Sequence, residues 1–138
     1  DNVALAAQRR IRGERAVARA VADALARVGL GGDAARLAGV LPYGHQRLLE
    51  VAMALALKPK LLIMDEPTQG LAPAEIVSFC DLVRDVAQSA TVLIIEHNLK
   101  VVLELAGRIT VMDGGRIIAE GAPAEIEEHP AVQRAYLG

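Results

Sequence analysis

The sequence predicts an α/β fold whose first third is mostly helical. Three observations predict it. Apolar residues recur at helical spacing over residues 17–28. Two short aliphatic runs, at 61–64 and 91–95, flank a helical pattern of the length that a parallel crossover requires. Near the C-terminus, Asp113-Gly114-Gly115 separates two further apolar segments, which is a hairpin signal.

The elements follow in order. Val17, Val21, Leu25 and Val28, with Ala20 and Ala24, form one helical stripe. Gly29, Gly31 and Gly32 stop that helix. Leu41-Pro42-Tyr43-Gly44-His45-Gln46 reads as a loop leading into a second helix, which is apolar almost all round over 48–57, as a buried helix should be. Lys58-Pro59-Lys60 ends it. Leu61-Leu62-Ile63-Met64 predicts a strand buried on both faces, as in a parallel sheet. Gly70 and Pro73 punctuate the next loop, and Pro73 suits the first position of a helix. Ile76, Val77, Cys80, Val83 and Ala87 predict the apolar stripe of that helix. Residues 91–95 form the second buried strand, and 98–106 a further helix. Short strands at 109–112 and 117–119 and two short helices within 123–137 complete the chain. No internal repeat or low-complexity segment is evident. The division expected is a helical region at 1–58 and the later part of an α/β core at 59–138.

Composition narrows the class. The chain has 138 residues, 53% of them hydrophobic, yet one Phe, two Tyr and no Trp, so the core is aliphatic. A net charge of -2 argues against a nucleic-acid module. Arg9, Arg10, Arg12, Arg15 and Arg19 read as a solvated helix face. Cys80 is the sole cysteine, which excludes an internal disulfide and fits a reducing compartment. No apolar run is long enough to span a bilayer, and no signal-peptide pattern opens the chain. The start at Asp1-Asn2-Val3, without Met, is the start expected of an interior cut through a longer protein.

The strongest chemical signal is Leu61-Leu62-Ile63-Met64-Asp65-Glu66-Pro67. Ligands of open α/β sheets bind beyond the carboxyl ends of the strands. A carboxylate there can hold Mg²⁺, and a second can orient or deprotonate an attacking water. Phosphoryl transfer needs little more than such positioning and charge neutralisation. Taken alone, the motif also fits a solvated acidic turn. His97, after the next strand, could donate to a phosphate oxygen, or cap a turn. The loop around Gly44 opens a helix, and helix N-termini favour anions. By itself that loop is equally an ordinary helix start.

In combination these motifs resemble the nucleotide-binding subunits of ATP-binding cassette (ABC) transporters. That family places a signature loop before a helix, then a Walker B strand ending in Asp-Glu-Pro, then a switch His. Here the order is Leu41 to Gln46, Leu61 to Pro67, and His97. The resemblance continues through Asp113-Gly114-Gly115 and Gly121-Ala122-Pro123. It implies a partial P-loop NTPase fold: a helical signature region, a mostly parallel strand–helix–strand core, and a C-terminal β-hairpin with short helices. Leu41-Pro42-Tyr43-Gly44-His45-Gln46, Gly70-Leu71-Ala72-Pro73 and the ending Arg134-Ala135-Tyr136-Leu137-Gly138 look most like the ATPases of branched-chain amino acid importers.

By that resemblance Asp65 would help hold Mg²⁺, Glu66 would be the general base, and His97 would contact the γ-phosphate of ATP. Pro42, Tyr43, Gly44, His45 and Gln46 would face the ATP held by a second ATPase subunit in a head-to-tail dimer. Transmembrane permease subunits would be the other partners. The location implied is cytoplasmic and peripheral, on the inner face of the cell membrane.

Three departures stand out. Pro42 replaces the usual Ser, removing a hydroxyl and an N–H. Pro73 stands where many members have Asp; both variants are at home in the branched-chain group. No Gly-x-x-x-x-Gly-Lys-Ser/Thr loop occurs, so the chain by itself lacks the phosphate cradle and is expected to be inactive alone. Two other readings are compatible with these residues: an inactive interaction module derived from an ABC protein, and an ABC-type ATPase of DNA repair or chromosome maintenance.

Overall fold

A computed structural model of the chain describes residues 2–137, with side chains to residue 135. Asp1, Gly138 and the side chains of Tyr136 and Leu137 lie outside the described residues, and with them the opening residue and part of the terminal family cue. The helices are α1 (Asn2–Gln8), α2 (Glu14–Arg27), α3 (Tyr43–Ala56), α4 (Pro73–Ala87), α5 (Leu99–Leu105), α6 (Pro123–Glu127) and α7 (Pro130–Leu137). The strands are β1 (Leu61–Asp65), β2 (Thr91–Ile95), β3 (Ile109–Asp113) and β4 (Arg116–Gly121). They form two compact units, Asp1–Ile95 and Glu96–Gly138. The sequence-based boundary near residue 58 falls inside the first unit, in the connection between α3 and β1.

In the first unit α1, α2 and α3 pack on one another. Val3, Ala7, Val17, Ala24, Leu25 and Val28 are buried there, as are Leu48, Val51, Ala52 and Leu55 of α3. Gly29 ends α2 in the left-handed region, at φ 75°. β1 and β2 pair in parallel, in register from Leu61↔Thr91 to Asp65↔Ile95.

The strands are not buried on both faces, as the unbroken aliphatic runs predict. Leu62 and Met64 are buried, whereas Leu61 and Ile63 are 53% and 58% exposed. Leu93 and Ile95 are also half exposed. Successive side chains point to opposite faces, and one face of this pair is left uncovered within the unit. The helix between the strands differs as well. Val77 is 62% exposed and Ala87 is exposed, while Phe79, Cys80, Leu82, Val83 and Val86 are buried. The stripe 79, 82, 83, 86 has ideal helical spacing and carries the larger side chains, so it wins the core-facing side.

A short repeat is present after all. Ala-Pro-Ala-Glu-Ile occurs at 72–76 and again at 122–126. Both copies start a helix with Pro at its opening, α4 and α6. Glu75 accepts the Ala72 N–H at 2.6 Å, and Glu125 accepts the Ala122 N–H at 2.7 Å. Alanine has no side-chain acceptor, so each is one half of a capping box, satisfying one N–H at the helix start.

In the second unit β3 and β4 pair antiparallel, with an irregularity at Val111/Met112. Gly114 and Gly115 join them at φ 53° and 76°, the two left-handed positions of a tight hairpin turn. Ile109, Val111, Ala119, Ile126 and Val132 form the core. Glu120 accepts from the Thr110 hydroxyl at 3.0 Å and from Arg108 at 3.3 Å. Arg108 foremost, then Thr110, holds the Glu120 carboxyl below its ordinary range. No helix among the described residues is long and apolar enough to cross a membrane.

The register of α4 is testable. Phe79→Ala should destabilise the chain by ~3–5 kcal/mol, and Val77→Ala by less than ~0.5 kcal/mol. Denaturant unfolding of both variants measures the contrast, and comparable losses would reject this register.

Candidate functional site

The site begins where β1 ends. Asp65 is exposed and opposite Ile95 in the ladder. The Glu66 N–H then donates to the Ile95 carbonyl at 2.8 Å. To make that bond and leave the strand, Glu66 adopts φ 45°, a left-handed conformation that costs a non-glycine residue on the order of 1 kcal/mol. Tight turns follow, with the Gln69 N–H to the Glu66 carbonyl and the Leu71 N–H to the Thr68 carbonyl, both at 3.2 Å. Pro67 and Thr68 are buried beneath them. Two adjacent carboxylates thus sit at the carboxyl end of a parallel strand, on a turn held from several sides.

The second part is the start of α3. Pro42 precedes it at φ −51° and ψ 151°, and no side chain caps the helix. The Gln46 N–H donates to the Pro42 carbonyl at 3.0 Å, and the Gln46 side-chain amide donates to the Leu41 carbonyl at 2.9 Å. The N–H groups of Tyr43, Gly44 and His45 precede the first intrahelical donor, the Gln46 N–H, and face out of the helix end. Tyr43 is 51% exposed. Its hydroxyl accepts from Arg47 at 3.0 Å, and that guanidinium lies 5.3 Å from its ring centroid.

The fold brings these two parts together. A Cβ on Gly44 would stand 2.9 Å from Leu71 Cδ2 and 3.1 Å from the Gly70 carbonyl oxygen. A Cβ on Gly70, which has φ 80°, would stand 2.5 Å from the Tyr43 ring. The two glycines let the turn after Glu66 rest against the start of α3. His45 Nε2 lies 3.1 Å from Glu75 Oε1, and His45 Nδ1 lies 4.0 Å from Asp33 Oδ2.

His97 belongs to the second unit. It sits in the turn before α5 with its side chain exposed, and the Asn98 N–H donates to Glu96 Oε2 at 3.3 Å across that turn. Sequence reasoning missed Glu75; the Ala-Pro-x-Glu helix start was the signal that would have found it.

No group of three or more His, Cys, Asp or Glu able to hold a metal occurs among the described residues. Asp65 with Glu66 beside it matches the donor set of Mg²⁺ that arrives with phosphates and water, where one or two carboxylates suffice.

Comparison with known proteins finds related families, sequences and structures. The model of the ABC transporter family matches residues 2–69, and that of the branched-chain amino acid ATP-binding cassette transporter matches residues 116–138. The high-affinity branched-chain amino acid transport ATP-binding protein LivG of Salmonella typhimurium is 42% identical over 83% of this chain and 46% of its own. BraF of Pseudomonas aeruginosa, a protein of the same description, is 39% identical over 92% of this chain and 51% of its own. The ADP conformation of MJ1267, an ATP-binding cassette of an ABC transporter, superposes with a TM-score of 0.77 at 34% identity, covering 93% of this chain and 52% of that one. The chain thus spans about half the length of the curated relatives it matches.

Gly70→Ala tests the packing of the two turns. It should cost ~1–3 kcal/mol in denaturant unfolding, from the left-handed backbone and from the Tyr43 ring together. In a Tyr43→Ala background the cost should shrink, because the ring contribution is gone. An unchanged cost would mean that the ring and the glycine do not touch.

Proposed function

The chain belongs to the ATP-binding cassette transporter family, and on that premise we propose that it forms part of an ATP-hydrolysing importer subunit that powers uptake of branched-chain or related amino acids. The observation that carries this reading is the strained turn at Glu66, which sets two carboxylates at the carboxyl end of β1. Family likeness supplies the cargo, since LivG and BraF are both described as branched-chain amino acid transport proteins.

Asp65 would hold Mg²⁺, directly or through water. When bound, Mg²⁺ supplies neutralisation of the phosphate charge. Glu66 orients the attacking water and takes its proton as general base. His97 donates a hydrogen bond to a γ-phosphate oxygen of ATP. The outward N–H groups at the start of α3, with the positive end of the helix dipole, face the nucleotide of a second ATPase subunit. Pro42 removes one donor, and the N–H groups of Gly44 and His45 remain. The partners are that second subunit, arranged head to tail, and the membrane permease subunits, on which the protein sits peripherally at the inner membrane face.

In a complete ATPase carrying this chain, Glu66→Gln should lower turnover by at least ~10²-fold while ATP still binds. Steady-state hydrolysis and nucleotide binding measure the two quantities. Parental turnover in that variant would remove Glu66 from the role of base.

His97→Ala should slow hydrolysis and leave ADP affinity nearly unchanged, because ADP lacks the phosphate that His97 contacts. Equal losses of ADP and ATP affinity would assign His97 a structural task instead.

A further inference from the structure

We propose that His45 and Glu75 are positioning residues: together they latch the start of α3 to the start of α4, where the turn that leaves Glu66 ends. The latch rests on the ATPase reading only for its consequence, and on geometry for its existence. Glu75 uses both carboxylate oxygens. Oε2 accepts the Ala72 N–H at 2.6 Å, and Oε1 lies 3.1 Å from His45 Nε2. One carboxylate therefore determines where α4 begins and holds the imidazole from the first turn of α3.

The pair is half-buried, with side chains 32% and 31% exposed. It borders a cavity of about 390 Å³ whose wall includes Leu30, Leu48 and Phe79. Apolar walls reduce the competition from water for such a pair. His45 Nδ1 is buried without a hydrogen-bond partner, and Asp33 stands 4.0 Å away while accepting from Arg36 at 2.9 Å. The approach to Glu75 is thus the nearer of the ring's two carboxylate contacts. Little slack remains nearby, since the position of a Gly44 Cβ is 3.6 Å from Glu75 Oε2 and nearer still to Leu71 and Gly70.

The consequence is a coupling within one subunit. The turn after Glu66 serves the nucleotide of its own subunit, and the start of α3 serves that of the partner. With the latch closed, neither segment shifts without the other. Glu75 touches no substrate; it acts through His45 and the Ala72 N–H.

Amide hydrogen exchange on the 138-residue chain tests the latch directly. His45→Ala and Glu75→Ala should each speed exchange at both Gln46 and Leu71, whose N–H groups donate to the Pro42 and Thr68 carbonyls, by ~10-fold or more. The double variant should exchange no faster than Glu75→Ala alone, since the lost cap is common to both. His45→Gln, which keeps a side-chain N–H donor, should restore slow exchange. The latch is overturned if His45→Ala leaves Leu71 protected, if the two single effects multiply, or if His45→Gln behaves like His45→Ala. A separate arm measures turnover in a complete ATPase carrying this chain, where Glu75→Ala should lower kcat by ~10-fold. Absence of hydrolysis in the parent would overturn the ATPase reading and leave the exchange result standing. Normal kcat in the variant would overturn the coupling.

Discussion

The hydrogen bond from the Glu66 N–H to the Ile95 carbonyl is the constraint on which the site depends. It extends the parallel ladder of β1 and β2 by one residue past the last strand position. An extended residue at 66 would carry the chain onward beside β2. The left-handed φ of 45° instead turns it sharply. Every later feature of the turn follows: Pro67 and Thr68 buried, Gly70 beneath Tyr43, and Ala72 delivered to the Glu75 carboxylate. The strain at Glu66 persists because the ladder bond and the buried residues over-determine it.

Glycine and glutamate then do complementary things. Gly44 and Gly70 permit close approach, for a side chain at either would collide with Leu71 or Tyr43. Glu75 gives that approach a fixed direction through Ala72 and His45. The second copy of the same pentapeptide, at 122–126, shows that the cap alone needs only local sequence. Glu125 caps α6 in the second unit. Only Glu75 has a histidine from another helix beside it, so one local motif performs two different tasks.

Much of this was legible in the residue order. Asp65, Glu66, the start of α3 and the hairpin turn at Gly114 and Gly115 follow from patterns read within a few positions. Errors arose where a pattern had two solutions. The runs Leu61-Leu62-Ile63-Met64 and Thr91-Val92-Leu93-Ile94-Ile95 are apolar on both faces, and nothing within such a run says which face is covered. The helix at 73–87 carries two overlapping stripes sharing Cys80 and Val83. The choice between them was made by Phe79 entering the core.

The sequence by itself determined the identities and spacing of the chemical groups, the local caps and turns, and the parallel crossover, because these depend on contacts between near neighbours or on chain length. Only the tertiary structure decided that Gly44 meets Leu71, that Gly70 lies under Tyr43, and that Glu75 holds His45. Those partners are separated by 27, 27 and 30 positions. No periodicity connects residues so far apart. Their meeting is set by how α3 and α4 are placed around the paired strands, which is a property of packing rather than of any one segment.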